Sequence, residues 1–187
     1  MRGTYKAIIG TGAAVVVAGA GVGGWALGHR DDNSSSSGST SASTIQVGVP
    51  TIVSAQQLQQ YAATHAPFYW AGVRPNTQIE LTVTARNATF VRYLPEGAKA
   101  GTPTKYLTVS TYDSIDGYDA LTSAKKKIAS VQRAKSGAVV DVFKATPLST
   151  YFSFPNATFE VEVFSPTAGE SKSLTDDGQV GMLGSSS

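Results

Sequence analysis

Three carboxylates fall within seven residues in the stretch Asp113-Ser-Ile-Asp116-Gly-Tyr-Asp119. A calcium loop needs oxygen ligands at alternate positions and a distal Glu, and this spacing supplies neither. Helix entry accounts for the same residues. Asp116 as an N-cap would accept from free backbone N–H groups, and Asp119 in the first turn would complement the helix dipole. The other chemistry-bearing residues are sparse. His29 and His65 are the only histidines and there is no cysteine. Thiol catalysis, zinc–thiolate sites, iron–sulfur clusters and disulfides are therefore excluded. His65 has no second His or Cys with which to share a metal. It is also the only realistic base for a Ser-His-Asp triad, and no serine sits in a nucleophile-elbow pattern. The sequence predicts a chain that is not an enzyme and holds no cofactor and no metal.

Aromatic residues offer a different chemistry. Fifteen of the 17 rings lie between Tyr61 and Phe164. Alternation along strands sends some rings to the outer face of a sheet. Tyr69, Trp70, Tyr106 and Tyr112 are the candidates for an exposed strip that contacts a glycan or a peptide. Cross-strand ring pairs that only stabilise a sheet are the alternative. Lys125, Lys126 and Lys127 could meet anionic lipid or wall polymer, although such a run is ordinarily a solvated helix face.

The elements that must position these residues follow from periodicity. Ser54-Ala-Gln-Gln57 is a capping box that opens a helix with Leu58, Tyr61, Ala62 and His65 on one face, ended by Pro67. Strands are expected at Phe68–Trp70, Gln78–Ala85, Thr89–Leu94 and Tyr106–Tyr112. A turn at Arg86-Asn87-Ala88 would join the second and third of these. Leu121, Ala124, Ile128 and Val131 recur at helical spacing and predict a second helix over Gly117–Arg133. Strands at Ala138–Phe143, Thr150–Phe154 and Thr158–Phe164 complete the set. Asn-Ala-Thr-Phe occurs at 87–90 and again at 156–159, each time where a hairpin turn is expected. The pattern argues an α+β two-layer domain with a mostly antiparallel sheet and two helices on one face. One parallel pair is expected within 106–143.

Ahead of this domain, Ala7 to Leu27 contains no charge, and a helix of that length spans roughly 30 Å, the thickness of a bilayer core. Arg2 and Lys6 precede it, which orients the N-terminus inside and the domain outside. The expected layout is a short cytoplasmic N-terminus over 1–6, a transmembrane signal anchor over 7–28, a Ser-rich linker over 29–48, the extracytoplasmic domain over 49–168 and a partly disordered tail over 169–187. Ala18-Gly19-Ala20 also matches a cleavage site, so secretion after cleavage near Ala20 is the competing reading. Gly19 and Gly23 match the close-approach motif through which membrane helices pair, and self-association would use them. Beyond residue 44 the charges nearly cancel, so no basic field recruits nucleic acid.

Five short motifs occur in a set order: Tyr69-Trp-Ala-Gly72, Glu80-Leu-Thr82, Val91-Arg-Tyr-Leu-Pro95, Leu107-Thr-Val109 with Thr111-Tyr112, and Glu162-Val-Phe-Ser-Pro166. Over about 55–166 they resemble a group of exported or membrane-anchored proteins of actinobacteria. The resemblance implies a bacterial envelope location and carries over no catalytic residue and no ligand. The leading expectation is a tethered interaction or sensory module whose partner is an envelope protein or a glycan. A cell-wall glycan-binding module built on the rings around Trp70 comes second. An enzyme acting on envelope polymer through Asp113 and Asp116 comes third.

Overall fold

The structure, a computed structural model, describes residues 44–113, 115–124, 129–134 and 137–184. In chain order its elements are β1 (Thr51–Val53), α1 (Ala55–Ala62), β2 (Phe68–Trp70), β3 (Thr77–Val83), β4 (Thr89–Pro95), β5 (Thr108–Asp113), α2 (Gly117–Thr122), β6 (Ala129–Arg133), β7 (Val139–Phe143), β8 (Ser149–Ser153), β9 (Phe159–Phe164), α3 (Glu170–Asp176) and β10 (Gly181–Leu183). Eight strands form one sheet in the order β1-β3-β4-β5-β9-β8-β7-β6, and β10 pairs with β2 in a small second sheet. The domain is α+β and its sheet is antiparallel. Two meanders, β3-β4-β5 and β6-β7-β8-β9, meet where β5 pairs with β9 from Thr108↔Phe164 to Asp113↔Phe159.

Period-two alternation explains the buried face. Ile79, Leu81, Val91, Val109, Val161, Val163 and Phe152 point to one side and are buried. Leu58 and Ala62 of α1, Phe68 and Tyr69 of β2 and Leu174 of α3 cover them. The layer above the sheet is therefore two helices and a short ribbon. Polar groups trapped beneath the ribbon are used. The Tyr69 N–H donates to Thr111 Oγ1 at 2.9 Å, and the Ala71 N–H donates to the Tyr93 hydroxyl at 2.6 Å. The capping box forms as the sequence requires, with the Gln57 N–H donating to Ser54 Oγ at 3.1 Å and the Ser54 N–H to Gln57 Oε1 at 2.8 Å. Asn87 and Asn156 take positive φ at 58° and 63°. Both copies of Asn-Ala-Thr-Phe are thus hairpin turns, which suits a residue that tolerates the left-handed region.

Five expectations are corrected. The helix over Gly117–Arg133 stops at Thr122, and Ala129–Arg133 is strand β6, paired with β7 from Ala129↔Phe143 to Arg133↔Val139. Apolar spacing in this stretch satisfies both periods, and five cross-strand partners outweigh a helix whose exposed side is all lysine. No parallel pair forms among the described residues, because β9 and β8 stand between β5 and β7. The helices do not share a face: α1 and α3 lie on one side, and α2 lies on the other, with Leu121 packed on Val139 and Tyr151. The fold does not end at 168. Leu174 of α3 is buried, and β10 pairs with β2 through Gly181↔Trp70 and Leu183↔Phe68. A stretch with so few apolar residues reads as a tail, yet each of these two leucines reaches the core. At the other end, Ile45 already packs on the core and the Gly48 N–H donates to Val83 O, so the domain begins inside the expected linker.

Among the described residues no helix is long and apolar enough to cross a membrane. The expected anchor over 7–28, with Gly19 and Gly23, lies outside them, as do Lys125, Lys126 and Lys127.

Truncation after Asp177 tests the extended boundary. Loss of β10 uncovers Phe68 and should lower stability by about 2–4 kcal/mol in urea unfolding. An unchanged midpoint would make β10 an ornament rather than part of the core.

Candidate functional site

The opposite face of the sheet is polar at its centre. Asp141 of β7 stands opposite Tyr151 of β8, Tyr151 opposite Glu162 of β9, and Glu162 opposite Ser110 of β5; Glu160 stands opposite Tyr112. Odd–even alternation puts all of these side chains on the side away from the aliphatic core. Glu162 is held by three hydroxyls. Tyr112 donates to Oε2 at 2.8 Å, and Ser149 and Tyr151 donate to Oε1 at 2.7 and 2.9 Å. The carboxylate is thereby fixed, and so are the two rings that flank it.

Glu160 and Asp141 are treated differently. Both oxygens of Asp141 are buried without a partner among the described residues, while the Glu160 side chain is partly exposed. Asp141 has 0% exposure, covered by other atoms but shallow in the fold. Helix α2 lies directly on Glu160: a Cβ on Gly117 would sit 2.8 Å from Glu160 Cβ and 2.7 Å from Phe159 O. Only glycine lets the helix backbone approach so closely.

The electrostatics follow from this geometry. Burial, then the negative charges of Glu162 and Asp141, push Glu160 up to about 7. Burial pushes Asp141 up to about 6. Tyr151 is pushed up to about 12 by burial and by the Glu162 charge, and Tyr112 is raised by the same causes in the same order. The face is thus a set of coupled acids in which two carboxyls titrate close to neutrality.

The four candidate aromatic residues do not form one strip. Tyr69 is buried on the aliphatic side, edge-on to Phe152 with ring centroids 5.3 Å apart. Trp70, half-buried on the same ribbon, packs on that core. Tyr106 and Tyr112 belong to the other side. Tyr106 lies under the Arg92 guanidinium at 5.9 Å, and Tyr112 is tied to Glu162. The acidic loop behaves as a helix entry: Asp116 Oδ1 accepts from the Asp119 N–H at 3.4 Å. No three His, Asp or Glu side chains converge on a metal-holding arrangement among the described residues. His65 falls beyond the end of α1, its ring stacked on Tyr61 at 3.7 Å.

A second carboxylate on this side does structural work. Glu80, fully buried, accepts from Arg92 Nη1 at 2.5 Å and from the Gly101 N–H at 2.6 Å. Arg92 Nη2 then donates to the carbonyls of Thr102 and Thr104 at 2.9 and 2.8 Å. One ion pair therefore straps the loop after β4 onto the sheet.

Sequence reasoning found Tyr112 but assigned no role to Asp141, Glu160 or Glu162. The signal was present in Val139-Val-Asp-Val-Phe143. A lone carboxylate inside an apolar strand is seldom buried without a reason. No protein family, no curated protein and no solved structure matches the chain.

The raised carboxyls make stability depend on pH. In the unfolded chain both titrate near 4, so between about pH 4 and pH 7 the folded state holds the extra protons. Their contribution is complete at the acid end and is lost as pH rises through the folded values. Thermal unfolding should show a lower midpoint at pH 8 than at pH 5.5. Glu160→Gln should recover about 1–3 kcal/mol at pH 8 and flatten the profile. A wild-type midpoint that rises steadily to pH 8 would contradict this. Glu162→Ala strands three hydroxyls and should cost about 2–4 kcal/mol at any pH.

Proposed function

We propose that the chain is a single-pass membrane protein of a bacterial envelope, its N-terminus inside and its α+β domain outside. The domain serves as an interaction or sensory module rather than as an enzyme, and its working surface is the acidic face beneath α2. One observation carries this reading: Asp141 stands buried on that face with both carboxylate oxygens unpartnered among the described residues, beside Glu160, whose proton affinity is raised by burial and by the charges of Glu162 and Asp141. Folded domains leave few covered polar groups unpaired, and titratable groups left so are concentrated where a protein responds or binds. The uncharged run over 7–28, flanked by Arg2 and Lys6, supports the tether and its direction. Gly19 and Gly23 support pairing of two such tethers. A glycan surface around Trp70 draws less support, because the rings it would need lie on two faces.

Protease added to intact cells should remove the domain while alkaline washing leaves the full chain in the membrane. A protected domain would overturn the orientation, and a soluble chain that begins near Gly21 would replace the anchor by a cleaved leader. Cross-linking in detergent should trap a dimer that Gly19→Ile with Gly23→Ile abolishes. A monomer in both would remove pairing through the tether.

A further inference from the structure

The coverage of the acidic face rests on one short element. Helix α2 has six residues and is fastened chiefly by Leu121, which packs on Val139 and Tyr151, with Tyr118, Val131 and Phe143 around them. Beneath and beside it lie Glu160, partly exposed, and Asp141, buried and unpartnered among the described residues. Among the described residues Asp141 has no hydrogen-bond partner for either oxygen, and its exposure is 0%. A carboxylate holds its negative charge in that position only at a cost, because neither water nor a donor among the described residues compensates it. Closure of the face therefore favours the protonated form of Asp141. The Gly117 backbone also presses against the Cβ and Cα of Glu160, so α2 covers part of a second acid whose side chain keeps some exposure.

We propose that α2 is a proton-controlled cover: it lies closed on the sheet while Asp141 and Glu160 are protonated, and lifts when they lose their protons. Lifting lets water reach Asp141 and more of Glu160, and bares an apolar patch formed by Val139 and Tyr151. The groups that face the pair are acidic from nearly every side. Glu162 and Tyr112 stand on β9 and β5 and Tyr151 on β8, while α2 brings Tyr118 and carries Asp119 and its cap Asp116 on exposed positions. Asp113 closes the end of β5. The cation that faces α2 among the described residues is Arg133 of β6. It is engaged elsewhere, its Nη1 donating to the Tyr118 hydroxyl at 2.6 Å and its guanidinium over that ring at 5.8 Å. The titration range of Glu160 and Asp141, about 7 and about 6, puts the transition in the span of ordinary environmental pH. Charge repulsion between the two and Glu162 then acts in the same direction as hydration.

The use of the cover rests on reading this face as the working surface, but the motion is measured without any ligand. Hydrogen exchange of the full chain in detergent micelles, corrected for the intrinsic pH dependence of amide exchange, reads it directly. Residues 117–122 should exchange at least tenfold faster at pH 8 than at pH 5.5, while the β3–β4 hairpin does not change. Asp141→Asn should remove most of that difference. Equal corrected rates in the wild type overturn the proposal, and so does a folded Asp141→Asn variant that keeps the full difference. If that variant does not fold, Glu160→Gln takes its place, and the wild-type comparison alone still decides. Failure here leaves the orientation of the domain untouched, and a wrongly oriented domain leaves the cover untouched.

Discussion

The pairing of β5 with β9 is the contact on which the remainder depends. Each meander alone is a ribbon with half a core. Their junction puts Val109 beside Val163 and Thr111 beside Val161, and so joins two sets of aliphatic side chains into one layer that α1, β2 and α3 can cover. The same register sets the other face, since it brings Tyr112 across from Glu160 and Ser110 across from Glu162. A slip of one residue would send every one of these side chains to the wrong side. The pairing closes a segment of nearly fifty residues, which carries a substantial chain-entropy cost before any contact repays it. The continuous aliphatic layer supplies the repayment.

The two faces solve opposite problems. On the aliphatic side the few polar groups are satisfied one for one, as with Thr111 and Tyr93. On the other side, polar groups are organised into networks that fix loops and rings. Glu80 and Arg92 strap down the loop after β4, and Glu162 collects three hydroxyls. Such networks stabilise only when complete, because a partly satisfied one exposes every member to the low-dielectric penalty. Asp141 and Glu160 stand beside the Glu162 network without belonging to it. Their raised proton affinity is the physical expression of that exclusion.

Much of this architecture was legible in the residues. Strict alternation in β3 and β9, the capping box at Ser54 and the Asn turns at 87 and 156 are local signals, and the structure keeps them. The stretch after Thr122 was not legible, because Leu121, Ala124 and Val131 fit a helical stripe while Ala129 and Val131 fit a strand. Only pairing with β7 decides between them. The α3–β10 extension was hidden for a related reason: one buried leucine in α3 carries no periodic signal. Of the site, Tyr112 was visible as a ring and Glu162 as a charge, but their bond spans fifty positions in sequence and belongs to the sheet order. The rings grouped as one strip were divided by the crossing of β2 over the aliphatic side, which no local pattern encodes.

The pairing of β2 with β10 has a consequence in time. A ribosome makes β2 more than a hundred residues before it makes β10. Throughout that interval Phe68, Tyr69 and Trp70 have no strand partner, and the main sheet lacks part of its cover. The ribbon over Phe68 is therefore closed only after residue 183 has been made, so this part of the cover is completed after both meanders of the main sheet have been synthesised.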